Sequence, residues 1–126
     1  MRILLVSLII IVLVIICSVL IYYYIENTSN NYSTEITSIT EDIRKDNWSE
    51  AEKKLEIFSE RWELTVKLWK LVIEHEELDN IEKSLVKSQQ FIINKNKDFS
   101  LTELSTLIFY LEHVYIKEKV NMQNVF

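Results

Sequence analysis

Glycine and proline are both absent from this chain, where an ordinary protein carries about 7% and 5% of them. Hairpin-rich β folds lose their usual turn-formers without these residues, and glycine-rich phosphate loops are excluded. Alanine is nearly missing too, occurring at Ala51 alone. The single cysteine, Cys17, excludes a disulfide framework and any cysteine-based zinc site. Basic residues are a minority, 14 Lys and Arg against 19 Asp and Glu, for a formal net charge of −5. Nucleic acid is therefore not an expected partner, because phosphate binding needs a concentrated basic face. What remains is the pattern of helices joined by Asn, Asp and Ser turns.

From Ile3 to Tyr24 no residue carries a charge, and only Ser7, Cys17 and Ser18 are weakly polar before the closing Tyr22, Tyr23 and Tyr24. As a helix this run reaches about 33 Å, enough for a hydrocarbon core of about 30 Å. Its tyrosines fall where amphipathic rings favour the headgroup level. A cleaved signal peptide fits less well, since the apolar region is long and no small-residue cleavage site follows. Val14-Ile15-Ile16-Cys17 lacks the small residue before cysteine that lipidation needs. Arg2 and the N-terminal amine flank one side, whereas Glu26 comes first on the other and the next cation is Arg44. The positive-inside rule places the N-terminus in the cytoplasm and residues 25–126 outside.

The organisation expected is a transmembrane anchor at 1–24, a juxtamembrane linker at 25–32 and a helical bundle domain at 33–126. Residues 25–32 are polar and Asn-rich, hence the linker. Tyr32, Ile36, Ile39 and Ile43 then form one narrow helical stripe. Asn47/Glu50, Asp79/Glu82 and Ser100/Glu103 have the capping-box spacing that opens helices. Trp48, Ala51, Leu55, Phe58, Trp62, Trp69 and Ile73 stay in helical phase, predicting one long helix over about 48–77. Leu64, Leu68, Leu71 and Leu78 add a second stripe, which argues for a place in the middle of a bundle. The apolar phase changes near Asp79, where the chain should kink or turn before a helix running to about Ile93. Residues 94–99 read as a loop, and a last helix opens after Ser100. That helix carries Leu101, Leu104, Ile108, Leu111 and Tyr115 on one side and Phe109, Ile116 and Val120 on the other. The fold class is all-α: one N-terminal transmembrane helix followed by a three- to four-helix extracytoplasmic bundle, with Trp48, Trp62 and Trp69 dominating its packing.

Chemistry has few footholds. His75 lies on the Leu64, Leu68, Leu71, Leu78 stripe and His113 on the Phe109, Ile116, Val120 stripe, each preceded by a glutamate. The ordinary account is a buried or half-buried imidazole bonded to a neighbour such as Asp79. The alternatives are a metal site of His75, Asp79, His113 and Glu118, or a partner-facing polar cluster of Glu74, His75, Asp79, Asn80 and His113. Neither HExxH nor the Glu-x-x-His of di-iron bundles is present, and no serine sits in a nucleophile elbow. No catalytic residue, metal or cofactor is assigned.

Trp48-x-x-Ala51, Trp62, Trp69, Ile73-Glu74-His75-x-Glu77-x-Asp79-Asn80-Ile81, His113, Glu118 and Asn121-x-Gln123-Asn124 together resemble one small family. It comprises uncharacterised single-pass membrane proteins of anaerobic spore-forming Gram-positive bacteria, grouped only as a domain of unknown function. The resemblance implies a bacterial cell membrane and an extracytoplasmic helical domain, and brings no activity with it. The function expected is a membrane-anchored, non-enzymatic helical interaction module of the cell envelope. Its contacts would be membrane lipid through residues 3–24 and another membrane or envelope protein or itself. The competing function is an extracytoplasmic ligand- or metal-sensing domain using His75 and His113. A structural role in division or sporulation through helix pairing is a third, weakened by the lack of an extended coiled-coil seam.

Overall fold

The computed structural model describes the backbone of residues 1–125 and the side chains of all of these except 118–123 and 125. Glu118, Val120, Asn121 and Gln123, named above, therefore lie outside the described side chains. Four helices and no strand occur among the described residues: α1 (Arg2–Arg44), α2 (Trp48–Trp69), α3 (His75–Ile93) and α4 (Lys97–Val125).

The first helix runs unbroken through the expected linker, because nothing between Arg2 and Arg44 is a helix breaker. Ile25, Ser29, Tyr32, Ser33, Ile36, Ile39 and Ile43 are its buried residues. Residues 25–32 are thus a corrected assignment: they are helix, and Ile25, Ser29 and Tyr32 belong to the packed face. The apolar stripe simply starts two turns earlier than Tyr32, with a serine in one of its places. The N-terminal part of α1 is long and apolar enough to cross a membrane, and none of that stretch is buried against the rest of the chain.

Two of the three connections solve the absence of glycine in the same way. After α1 the Asp46 N–H donates to the Ile43 carbonyl and the Asn47 N–H to the Asp42 carbonyl, with Asp46 at φ 60°. After α3 the Lys95 N–H donates to Ile92, the Asn96 N–H to Phe91, and Lys95 sits at φ 54°. Both are Schellman closures whose left-handed position is normally glycine. Each is followed at once by an asparagine that starts the next helix. The Asn96 side chain accepts from the Phe99 N–H at 3.2 Å, whereas Asn47 makes no such capping bond.

The connection between α2 and α3 is different and lies at 70–74, earlier than the turn expected near Asp79. Val72 N–H and Ile73 N–H both donate to the Trp69 carbonyl, and Glu74 is extended at φ −60° and ψ 141°. The phase jump falls between Ile73 and Leu78, so the chain must turn before Leu78 to bury both. The Asp79/Glu82 and Ser100/Glu103 pairs are not helix starts. Both lie inside helices, and α4 begins at Lys97.

Short connections make successive helices antiparallel, and α4 closes the ring by packing along α1 as well as α3. At the centre, Tyr32 meets Phe58 edge-on at 4.9 Å, and Trp62 meets Trp69 at 5.6 Å and 88°. Such pairs add about 0.5–1.5 kcal/mol beyond the area they bury. Ile81, Leu85 and Ile92 from α3 and Leu104, Leu107, Leu111 and Val114 from α4 complete the core, while Trp48 is only partly buried. Lys54–Asp42 at 2.6 Å and an Arg61–Glu35 pair tie α2 to α1 on the outside, where exposed ion pairs contribute about 0–1 kcal/mol each.

Candidate functional site

The second stripes of α2 and α4 do not enter the bundle. Leu64, Leu68 and Leu71 are 66%, 57% and 80% exposed, and Phe109 and Ile116 are 60% and 47% exposed. Of the α2 stripe only Leu78 is buried, and it stands on α3, beyond the turn. Placing this half of α2 in the middle of a bundle is therefore corrected. Four helices in a ring leave each one an outer face, and here two of those faces are apolar.

His75 and His113 lie on the exposed surface, which overturns their reading as buried or half-buried residues. Among the described residues no hydrogen bond joins His75 to Asp79. His113 stacks on Phe109, one turn before it, with ring centroids 5.7 Å apart and planes at 12°. Asp79 and Glu74 are exposed and Asn80 is half-buried. What links this neighbourhood across helices is Lys117, a residue the sequence did not single out. Its ammonium donates to Glu74 Oε2 at 2.9 Å and to Glu77 Oε1 at 3.1 Å. The bond to Glu74, and then that to Glu77, holds the ammonium above the usual lysine range. Lys117 thereby pins the start of α3 to α4. No side-chain hydrogen bond among the described residues joins Glu74, His75, Asp79, Asn80 and His113 to one another, and no cluster of three or more potential ligands with metal-binding geometry occurs among them.

Between α2 and α3 lies a groove of about 380 Å³ lined by Glu52, Glu56, Glu60 and Glu63 together with Ser59, Gln89, Gln90 and the apolar Leu55, Ile92 and Ile93. Polar ties span this seam: Gln89 Nε2 donates to Ser59 Oγ at 2.7 Å, and the Trp62 indole N–H donates to Glu82 Oε2 at 2.6 Å. The acidic ladder is visible in the sequence as glutamates at spacings of four, four and three, which is equally the pattern of a solvated helix face. Deeper in the core, burial pushes the Tyr32 hydroxyl above the usual tyrosine range, partly offset by its bond to Thr65.

Among the described residues no catalytic grouping is recognisable by geometry. Comparison with known proteins decides the kinship: the model of the DUF4363 family, a domain of unknown function, matches residues 19–125. The chain belongs to this family. The DUF4363 match spans α2, α3, α4 and the part of α1 that packs against them, so the whole bundle is the family's domain. Neither a curated protein nor a solved structure matches the chain.

Proposed function

We propose that this DUF4363 protein is a single-pass membrane-anchored module of the bacterial cell envelope, with a cytoplasmic N-terminus and an extracytoplasmic bundle. On this reading it works without enzymatic chemistry, by docking helix faces on another membrane or envelope protein or on a second copy of itself. The observation that carries the reading is a closed core beside exposed apolar stripes. The aromatic centre is filled, yet Leu64 on α2 and Phe109 and Ile116 on α4 remain in solvent. Apolar side chains grouped on an outer helix face are the kind of surface that interaction sites use. The anchor is supported by the apolar run of α1, which a soluble core helix would bury and which is unburied here. Orientation rests on Arg2 against the acidic Glu26 on the other flank.

Photocrosslinking of the full-length chain in native membranes, with a reactive group at Phe109, tests it. A stoichiometric partner or a discrete homo-oligomer is the expected product. Recovery of monomer alone counts against docking, and resistance of residues 25–126 to protease added outside intact cells counts against the orientation.

A further inference from the structure

The end of α2 and the turn at 70–74 carry three apolar side chains that the bundle does not use: Leu68, Leu71 and Val72 are all exposed, Leu71 most of all. Their height along the bundle follows from the contacts of α2 with α1. Tyr32 faces Thr65, and Arg61 pairs with Glu35, so the two helices run antiparallel with those residues level. From Thr65 to Leu71 the chain advances about 9 Å, and the same distance back along α1 reaches Glu26. Leu71 is therefore about 3 Å from the level of Tyr24, the end of the uncharged run, and inside an interfacial layer roughly 5–7 Å thick. Because α1 is one continuous helix, no hinge separates the turn from the anchor.

We propose that the 70–74 turn is a second membrane contact, with Leu71 and Val72 seated at the headgroup–acyl boundary beside Tyr22, Tyr23 and Tyr24. The inference rests on α1 being the anchor and adds a lipid-facing role for the base of the bundle. The occupant is lipid because this patch stands within about 3 Å of the level at which the exposed, uncharged run of α1 begins. Exposed Leu64, about two turns higher, lies beyond reach of that layer. Lys67 and Lys70 flank the apolar tips and have stems long enough to place their ammonium groups among phosphates. The turn is also held in advance: Ile73 is buried beside it and Lys117 grips Glu74, so little freedom is lost on seating.

Single-cysteine variants of the full-length protein, with Cys17→Ser as background, test this in vesicles of phosphatidylcholine and phosphatidylglycerol. An environment-sensitive fluorophore is attached at Ile9→Cys in the apolar run, at Tyr23→Cys, at Leu71→Cys, or at Ile57→Cys high on α2. Brominated lipid and aqueous iodide are the quenchers. The expected result is a blue-shifted Leu71 label that loses emission to brominated lipid as the Tyr23 label does, while the Ile57 label responds only to iodide. A Leu71 label that behaves like the Ile57 label, or one shielded from both quenchers by protein, overturns the proposal while lipid quenching at Ile9 leaves the anchor standing. Absence of lipid quenching at Ile9 overturns both readings at once. Leu71 and Ile57 are exposed, so neither label disturbs the core.

Discussion

Trp62 and Trp69 are both buried, but their indole N–H groups meet opposite fates, and that difference is measurable. Trp62 donates to Glu82 Oε2 at 2.6 Å. Trp69 Nε1 is buried with no hydrogen-bond partner among the described residues. A hydrogen bond to a charged acceptor contributes about 1.5–3 kcal/mol when dry. Glu82 is an exposed residue, so competition from water lowers this to about 1 kcal/mol. Glu82→Ala should therefore destabilise the bundle by about 1 kcal/mol. Trp62→Phe should cost about 2 kcal/mol, combining the lost bond with lost buried area. The double variant should cost no more than Trp62→Phe alone, giving a coupling of about 1 kcal/mol. Trp69→Phe removes an unsatisfied donor along with its area and should cost less than Trp62→Phe. The assay is denaturant unfolding of the full-length chain in detergent micelles, followed by far-UV circular dichroism. Additive costs for Trp62→Phe and Glu82→Ala, or a Trp69→Phe variant that loses more than Trp62→Phe, would refute the reasoning.

Lys95→Gly, at a left-handed position closing α3, should raise stability by up to about 1 kcal/mol, since a non-glycine residue there is strained by about 1–2 kcal/mol and glycine returns part of the gain to the unfolded chain. Asp46→Gly should gain less, because aspartate tolerates that conformation better; the same unfolding assay reads both. Lys117 and Tyr32 each have a raised pKa in the folded protein, so the folded state holds those protons longer than the unfolded chain. Their contributions are complete through the neutral range and fall once pH exceeds the unfolded values near 10, so these two groups should lower the unfolding midpoint in alkaline solution, with a smaller drop in Tyr32→Phe. Ile116→Lys, at an exposed position on the same face of α4, should change stability by less than about 0.5 kcal/mol, as exposed substitutions do, while abolishing the product formed by a crosslinker at Phe109.

Periodicity made the core legible where one stripe decided the matter. Ile36, Ile39 and Ile43, and Ala51, Leu55, Phe58, Trp62 and Trp69, are buried as their spacing predicts. It failed where a helix carried two stripes, because spacing says which residues share a face and not which face is turned inward. Trp62 and Trp69 won that competition on α2 over Leu64 and Leu68, having more area to bury. Helix ends were legible at Asn47 but misread at Asp79 and Ser100, because a capping-box spacing recurs by chance in a chain rich in Asn, Ser and Glu. The actual closures depend on Asp46 and Lys95 adopting conformations that sequence associates with glycine. The bridge from Lys117 to Glu74 and Glu77 joins residues far apart in the chain, and local patterns carry no signal for it.

A helical bundle with no glycine and a single alanine needs another small side chain wherever helices approach closely, and serine takes that place. Ser29, Ser84, Ser88 and Ser100 are almost completely buried and Ser33 nearly so. The hydroxyl that comes with each is handled in two ways. Ser88 Oγ donates to the Ser84 carbonyl one turn back at 2.8 Å, and Ser84 Oγ reaches across to the Glu103 carbonyl on α4 at 3.3 Å. Ser29, Ser33 and Ser100 keep buried hydroxyls with no partner among the described residues. Size rather than polarity is then what the fold requires at Ser29 and Ser100. Replacing either by alanine keeps the close approach and removes an unsatisfied group, which should raise stability by about 1 kcal/mol. Ser29→Leu also removes the hydroxyl but overfills the contact, and should lower stability by about 1–3 kcal/mol. If Ser29→Ala instead destabilises the bundle by as much as Ser29→Leu does, the hydroxyl rather than the small volume is what α1 needs there.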